Sequence, residues 1–255
     1  MTTYTQQQLI ERQFSPHSDA YLRSAVHASG PDLVEMERIL TPLRPVCALD
    51  VGCGGGHASY LLARVAQDVV ALDLSSAMLQ TVAAEADRRG FQHLQTCVGE
   101  ACSLPFPAAS FDVVVTRYSA HHWENLPAAL AEMHRVLRPG GTLLVSDVVA
   151  PAHPLSDTWL QSLELLRDPS HVRDYSTSEW KTKLQEAGFS LGTKTLYRGR
   201  LEFAAWIARM STPPLQVEAI QALQRQAPSS VSQQFDFGTD GSFSIDTMLI
   251  DCVRG

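Results

Sequence analysis

The chain has 255 residues, 45% of them hydrophobic, enough for one large α/β core with an appendage. Its formal charge of -7, with no block of like charges, argues against non-specific binding to a polyanion, so nucleic acid is not an expected partner. The five cysteines are scattered and odd in number, three of them in or beside expected strands where a thiol packs as a small hydrophobe. The first residues carry neither a basic nor an apolar leader segment. No apolar run approaches the ~18–20 residues of a membrane span. A soluble, cytoplasmic protein, monomeric or homodimeric, is the expectation.

Residues 46–51 form an aliphatic run that reads as a buried strand. It leads through Asp50 into glycine at every second position, Gly52, Gly54 and Gly56, and then into a helix over 58–66. A strand, a glycine turn and a helix start bring bare backbone N–H groups to a ligand. A second strand, 69–74, contains Asp73; Ser75 offers an N-cap for a helix that Gly90 stops. Strands at 93–98, 111–116 and 142–149 follow, with a helix over 126–137 ended by Arg138-Pro139-Gly140-Gly141. This alternation predicts a mostly parallel sheet covered on both faces.

Beyond residue 150 the pattern changes. Helices are expected over 154–166 and 178–187, and a strand from Phe189 to about Tyr197. Residues 201–235 read as helical, broken at Pro213-Pro214 and Pro228, before a final strand over 243–253. The two helical insertions have no part in building the sheet, so they are expected to cover its carboxyl edge, where ligands bind.

The glycine spacing selects the ligand. A dinucleotide fingerprint of the form G-x-G-x-x-G would place its third glycine at position 57, where His57 stands. The observed G-x-G-x-G, with an acid two residues before it, resembles motif I of class I S-adenosylmethionine (SAM) methyltransferases. The Asp73 carboxylate can accept both hydroxyls of a ribose, as in dinucleotide sites. Glu100, in Gly99-Glu100-Ala101, can accept from an adenine amino group. Together with Leu137-Arg138-Pro139-Gly140-Gly141-Thr142-Leu143, these motifs closely resemble the type-11 methyltransferase family, which includes the ubiquinone and menaquinone C-methyltransferases. Arg117-Tyr118-Ser119-Ala120-His121-His122-Trp123, Ser170-His171-Val172-Arg173 and Trp206-Ile207-Ala208-Arg209-Met210 extend the resemblance to one bacterial subgroup.

The resemblance implies a Rossmann-like sheet with an antiparallel last strand and helical lids. The expected organisation is an N-terminal lid over 1–40, a SAM-binding core over 41–150 and an insertion over 151–176. A core helix and strand over 177–200, a second insertion over 201–235 and a last strand over 236–255 complete it. The cofactor set it implies is Asp50, Gly52, Gly54 and Gly56 at the turn; Asp73, Leu74 and Met78 after the second strand; and Glu100, Ala101 and Arg117 beyond it. The implied reaction transfers the sulfonium methyl to a C, O or N atom of a small molecule and leaves S-adenosylhomocysteine. His121 is the candidate proton acceptor, with a helix-capping role as its alternative. No metal is expected. Phe14 and Tyr21 are candidates for closing a lid, and His171, Arg173 and Arg209 for an acceptor with a carboxylate, phosphate or phenolate if they face the pocket. The competing readings are an NAD(P)-dependent oxidoreductase and a SAM-binding protein that does not transfer methyl.

Overall fold

The computed structural model describes residues 3–17, 22 and 29–255. Seven strands lie in the order β3-β2-β1-β4-β5-β8-β7. They are β1 (Cys47–Val51), β2 (Asp68–Asp73), β3 (Leu94–Val98), β4 (Phe111–Arg117), β5 (Leu137–Ala150), β7 (Phe189–Leu201) and β8 (Phe243–Arg254); a two-residue β6 (Tyr175–Ser176) pairs with the end of β5. The first five run parallel, while β8 is antiparallel to both β5 and β7. The sheet order reverses direction at β1, whose two neighbours are β2 and β4, and this opens a crevice above their carboxyl ends.

Helices cover both faces because neighbouring strand residues point opposite ways. Leu49 and Val51 of β1 join one core with α5 (Leu126–Val136) and α7 (Thr177–Glu186), centred on Leu130, Met133 and Trp180. Ala48 joins the other with α2 (Pro31–Leu40), α3 (His57–Val65) and α4 (Ser76–Arg89). The helix starts follow the chemistry of their sequence. Ser75 accepts from the Met78 N–H, Asn125 caps α5 through Ala128, and Ser176 and Glu179 form a reciprocal capping box.

The strand expected over 142–149 begins at Leu137. Leu137 pairs with Phe111 and Thr142 with Val113, so the intervening Arg138-Pro139-Gly140-Gly141 is an excursion within β5 rather than its approach. Gly140, at φ 76°, takes the turn of that excursion. The insertions build a third core. In α6 (Pro154–Arg167), Leu160 and Leu163 pack on Trp206 of α8 (Phe203–Arg209). Ile220 of α9 (Pro214–Gln226) and Phe235 of α10 (Ser229–Phe235) join them, with Phe243 and Ile245 of β8 as the floor. No helix among the described residues is long and apolar enough to cross a membrane.

One buried ion pair ties α2 to the sheet. Arg117, at the end of β4, donates through Nε to Asp32 Oδ2 at 2.5 Å and through Nη2 to Oδ1 at 3.1 Å, and the Ser146 hydroxyl donates to the same carboxylate. Removing one partner of a buried pair leaves the other charge uncompensated. Asp32→Ala is therefore expected to lower stability by about 3–5 kcal/mol in urea unfolding. Loss of the exposed Arg38–Glu35 pair should change it by less than about 1 kcal/mol.

Candidate active site

The carboxyl end of β1 turns sharply at the glycines. Gly52 and Cys53 donate to the Leu72 carbonyl, which holds the turn against β2. Gly56 sits at φ 80° as the residue before α3, and a Cβ there would lie 2.8 Å from the Tyr60 ring. Both the conformation and the space require glycine at this position. Gly54 faces open space and its N–H donates to Asp73 Oδ2 at 2.8 Å, while Ser75 N donates to Oδ1 at 2.9 Å.

Above this turn lies a cavity of about 280 Å³. It gathers Asp50, Gly52, Gly54, Asp73, Leu74, Met78, Glu100, Ala101 and Arg117 from four strand ends, all expected from the sequence. Gly56 is not on its wall; it acts through the turn. Arg117 reaches the rim, with its guanidinium engaged by Asp32. Asp50 is 1% exposed; its Oδ2 accepts the Ser59 hydroxyl at 2.6 Å, and its Oδ1 has no partner. Burial raises this carboxyl to about 6 in spite of the Ser59 bond, and it also raises the Asp73 carboxyl against the pull of the Ser75 and Gly54 N–H groups. An orphaned buried acceptor beside a glycine turn at a helix start suits a zwitterionic amino-acid end.

A second cavity, of about 210 Å³, shares Phe14, Tyr118 and His122 with the first. Phe14, the last residue of α1 (Gln6–Phe14), packs edge-on against the His122 ring with centroids 4.9 Å apart. Tyr118 has φ 51°, a left-handed backbone that only a few per cent of non-glycine residues adopt; its ring lines both cavities. His121 lines the second cavity only. Its Nδ1 lies 2.6 Å from Asp147 Oδ1, and Asp147 also accepts from Val148 N and Ala120 N. Burial disfavours the imidazolium, but the charge and hydrogen bond of Asp147 outweigh it and raise His121 to about 9. His122 goes the other way, to about 4, because burial and the neighbouring His121 charge act together.

The remaining expected residues are divided. Arg209 lines the second cavity. His171 and Arg173 line neither: His171 Nε2 bonds Gln161 Oε1, and Arg173 bridges Asp157 and Glu179, so both brace the loop after α6. Tyr21 lies outside the described residues. Unforeseen in the sequence were Gln6, Asp147 and Asp174. An acid inside the otherwise aliphatic stretch of β5 was the available signal for Asp147.

Sheet order, glycine turn and acid positions define the Rossmann-like methyltransferases, and the chain belongs to the SAM-dependent methyltransferase family. The family model described as a methyltransferase domain, type 11, matches residues 49–145. The Escherichia coli protein YafE, whose name marks it as uncharacterised, is 44% identical over 80% of this chain and 98% of its own. The Bacillus subtilis uncharacterised methyltransferase YcgJ is 32% identical over 96% of this chain and 98% of its own. The crystal structure of YcgJ superposes with a TM-score of 0.83 over 88% of this chain and 97% of that one, at 29% identity. The oxidoreductase reading is thereby set aside.

The His121 imidazole is expected to titrate near pH 9, observable by NMR, and Asp147→Asn should return it to or below the ordinary value near ~6.5. A folded-state value above the unfolded one means that the pair's contribution to stability is complete below pH ~6.5 and disappears as pH rises through about 9. Stability of the wild type should fall across that window, and that of Asp147→Asn should not.

Proposed function

We propose that the first cavity binds SAM and that methyl passes to a small-molecule acceptor seated in the second. The observation that carries this reading is the convergence of the glycine turn, the orphaned Asp50 oxygen, Asp73 and Glu100 on one cavity wall. In this arrangement the N–H groups at the start of α3 face the methionyl carboxylate, and Asp50 Oδ1 accepts from its ammonium. Asp73 keeps lone pairs for the ribose hydroxyls beyond those used by Gly54 and Ser75. Glu100 and Ala101 border the adenine, and Met78 packs against it.

SAM supplies an electrophilic methyl group on a positively charged sulfur. The protein's part is alignment and exclusion of water, which is why no nucleophilic triad is needed. Phe14 and Tyr118 stand where the two cavities meet. Their apolar rings keep water away from the path between donor and acceptor.

Calorimetric titration should give binding of S-adenosylhomocysteine and none of NADH. Asp73→Ala is expected to weaken that binding at least tenfold, about 1.4 kcal/mol. An unchanged affinity in this variant would remove Asp73 from the ribose site, and binding of NADH alone would overturn the reading.

A further inference from the structure

The wall of the second cavity has an unusual composition. His121 projects from the short turn Ala120–His122 with Nδ1 on Asp147; Nε2, on the other side of the ring, has no partner among the described residues. Asp174, 1% exposed on the loop before β6, lines the same cavity, and its Oδ2 has no partner either. Ligating atoms of His121, Asp147 and Asp174 lie within 4.8 Å of one another. Arg167, which also lines the cavity, is held through Nε by the Trp206 carbonyl and through Nη1 by Glu164. Leaving the buried Asp174 Oδ2 without a partner costs about 1–3 kcal/mol, so a ligand that completes it is expected.

Protonation decides what that ligand is. Asp147 accepts from the Ala120 and Val148 N–H groups and lies against His121 Nδ1, and this contact favours the proton and the imidazolium charge on His121. Burial, followed by the nearby Glu164 and Asp147 charges, raises Asp174 well above the carboxylate range in spite of the His121 charge. Asp174 is then a neutral acid that donates. His122 and His171, whose rings lie 4.2 and 5.9 Å from that of His121, are held neutral by burial and by the His121 charge. Of the groups lining the cavity, the His121 imidazolium, the Asp174 carboxyl and the guanidinium groups of Arg167, Arg198, Arg200 and Arg209 are donors, while the acids Asp32, Glu164 and Asp168 are engaged by Arg117, Arg167 and Ser170. For a cation, Asp147 offers little, since Oδ1 is taken by Val148 N and His121 Nδ1 and only Oδ2, which accepts Ala120 N, keeps a lone pair.

We infer that the methyl acceptor is an acidic hydroxyl compound, a carboxylic acid, phenol or enol, which binds in the second cavity as its oxyanion against His121 and Asp174. This inference rests on the methyltransferase reading above. In the step, a lone pair of the acceptor oxygen forms the O–CH3 bond as the S–CH3 bond breaks and its pair returns to sulfur. The negative oxygen and the positive sulfur are both neutral afterwards. No proton has to be removed in the step, and the product has lost the charge that held it to His121.

The test uses the full chain, methyl-labelled SAM and a filtered small-molecule extract of bacterial cells, separated by anion exchange before incubation. Label should enter a compound from the retained fraction, and the product should elute with one negative charge fewer. An acceptor in the unretained fraction, or a product that keeps its charge, overturns the inference. With the acceptor in hand, His121→Asn should raise KM at least tenfold while S-adenosylhomocysteine affinity stays within twofold, and acceptor binding should weaken as pH rises through about 9. Asp174→Leu should raise KM similarly, and Asp174→Asn, whose amide also donates, should recover most of the loss. If Asp174→Asn is as defective as Asp174→Leu, or activity lost to a chelator returns only with a divalent ion, the carboxylate acts as an acceptor and the inference fails. Loss of S-adenosylhomocysteine binding in the wild type would instead refute the parent reading.

Discussion

A single buried carboxylate organises the space between the two cavities. Asp147 lies on β5 one residue past its last pairing with β4, and its two oxygens collect the N–H groups of Ala120 and Val148 together with the His121 ring. Those bonds fix the start of the turn Ala120–His122 over the end of β5 and set the direction of the His121 imidazole, while Ser170 holds that of His122. The loop after α6 then docks on the same turn, since Val172 and Arg173 both donate to the His121 carbonyl. Isolated in an apolar strand, such a charge would be costly to bury. Here three charge-assisted bonds offset that cost and give the partition between the cavities a unique shape.

The donor half of the site was readable because its chemistry is local. Strand, turn and helix are contiguous from Cys47 to Val65, and the identity of the residue at position 57 separates one glycine pattern from another. Asp73 and Glu100 could be placed because parallel strands of similar length bring successive carboxyl ends to one edge. The second cavity, proposed for the acceptor, is assembled from Gly30, His121, Asp174, Arg198 and Trp206, which no spacing rule connects. His171 and Arg173 show the other side of this. Polar residues in a lid looked like ligand contacts, yet Gln161 and the acids of α6 and α7 engage them inside the protein. Residue type alone could not reveal those partners, because they depend on how the loop folds back.

The strand limits of β5 illustrate a related difficulty. Two glycines after a proline read as the end of a turn, but the pairing resumes on both sides of them, because Leu137 already lies opposite Phe111. Tertiary pairing here overrides the local signal. The excursion stands at the end of β5 far from the two cavities, so the strand limit there has no bearing on the site.

The lid is not a separable cover. Phe243 and Ile245, which floor its core, belong to the same β8 that pairs with β5 in the middle of the sheet. Swinging α6, α9 and α10 away as a unit would expose that apolar floor, whereas α1 buries none of its residues. It is fastened mainly by two amide side chains, Gln6 to the carbonyls of His122 and Ser170 and Gln13 to that of Met210. Each such bond contributes about 0.5–1.5 kcal/mol. If the two cavities work as proposed, the helix whose release costs least is thus α1, bolted to backbone atoms rather than packed into a core, and its opening would leave the Asp147–His121 contact in place.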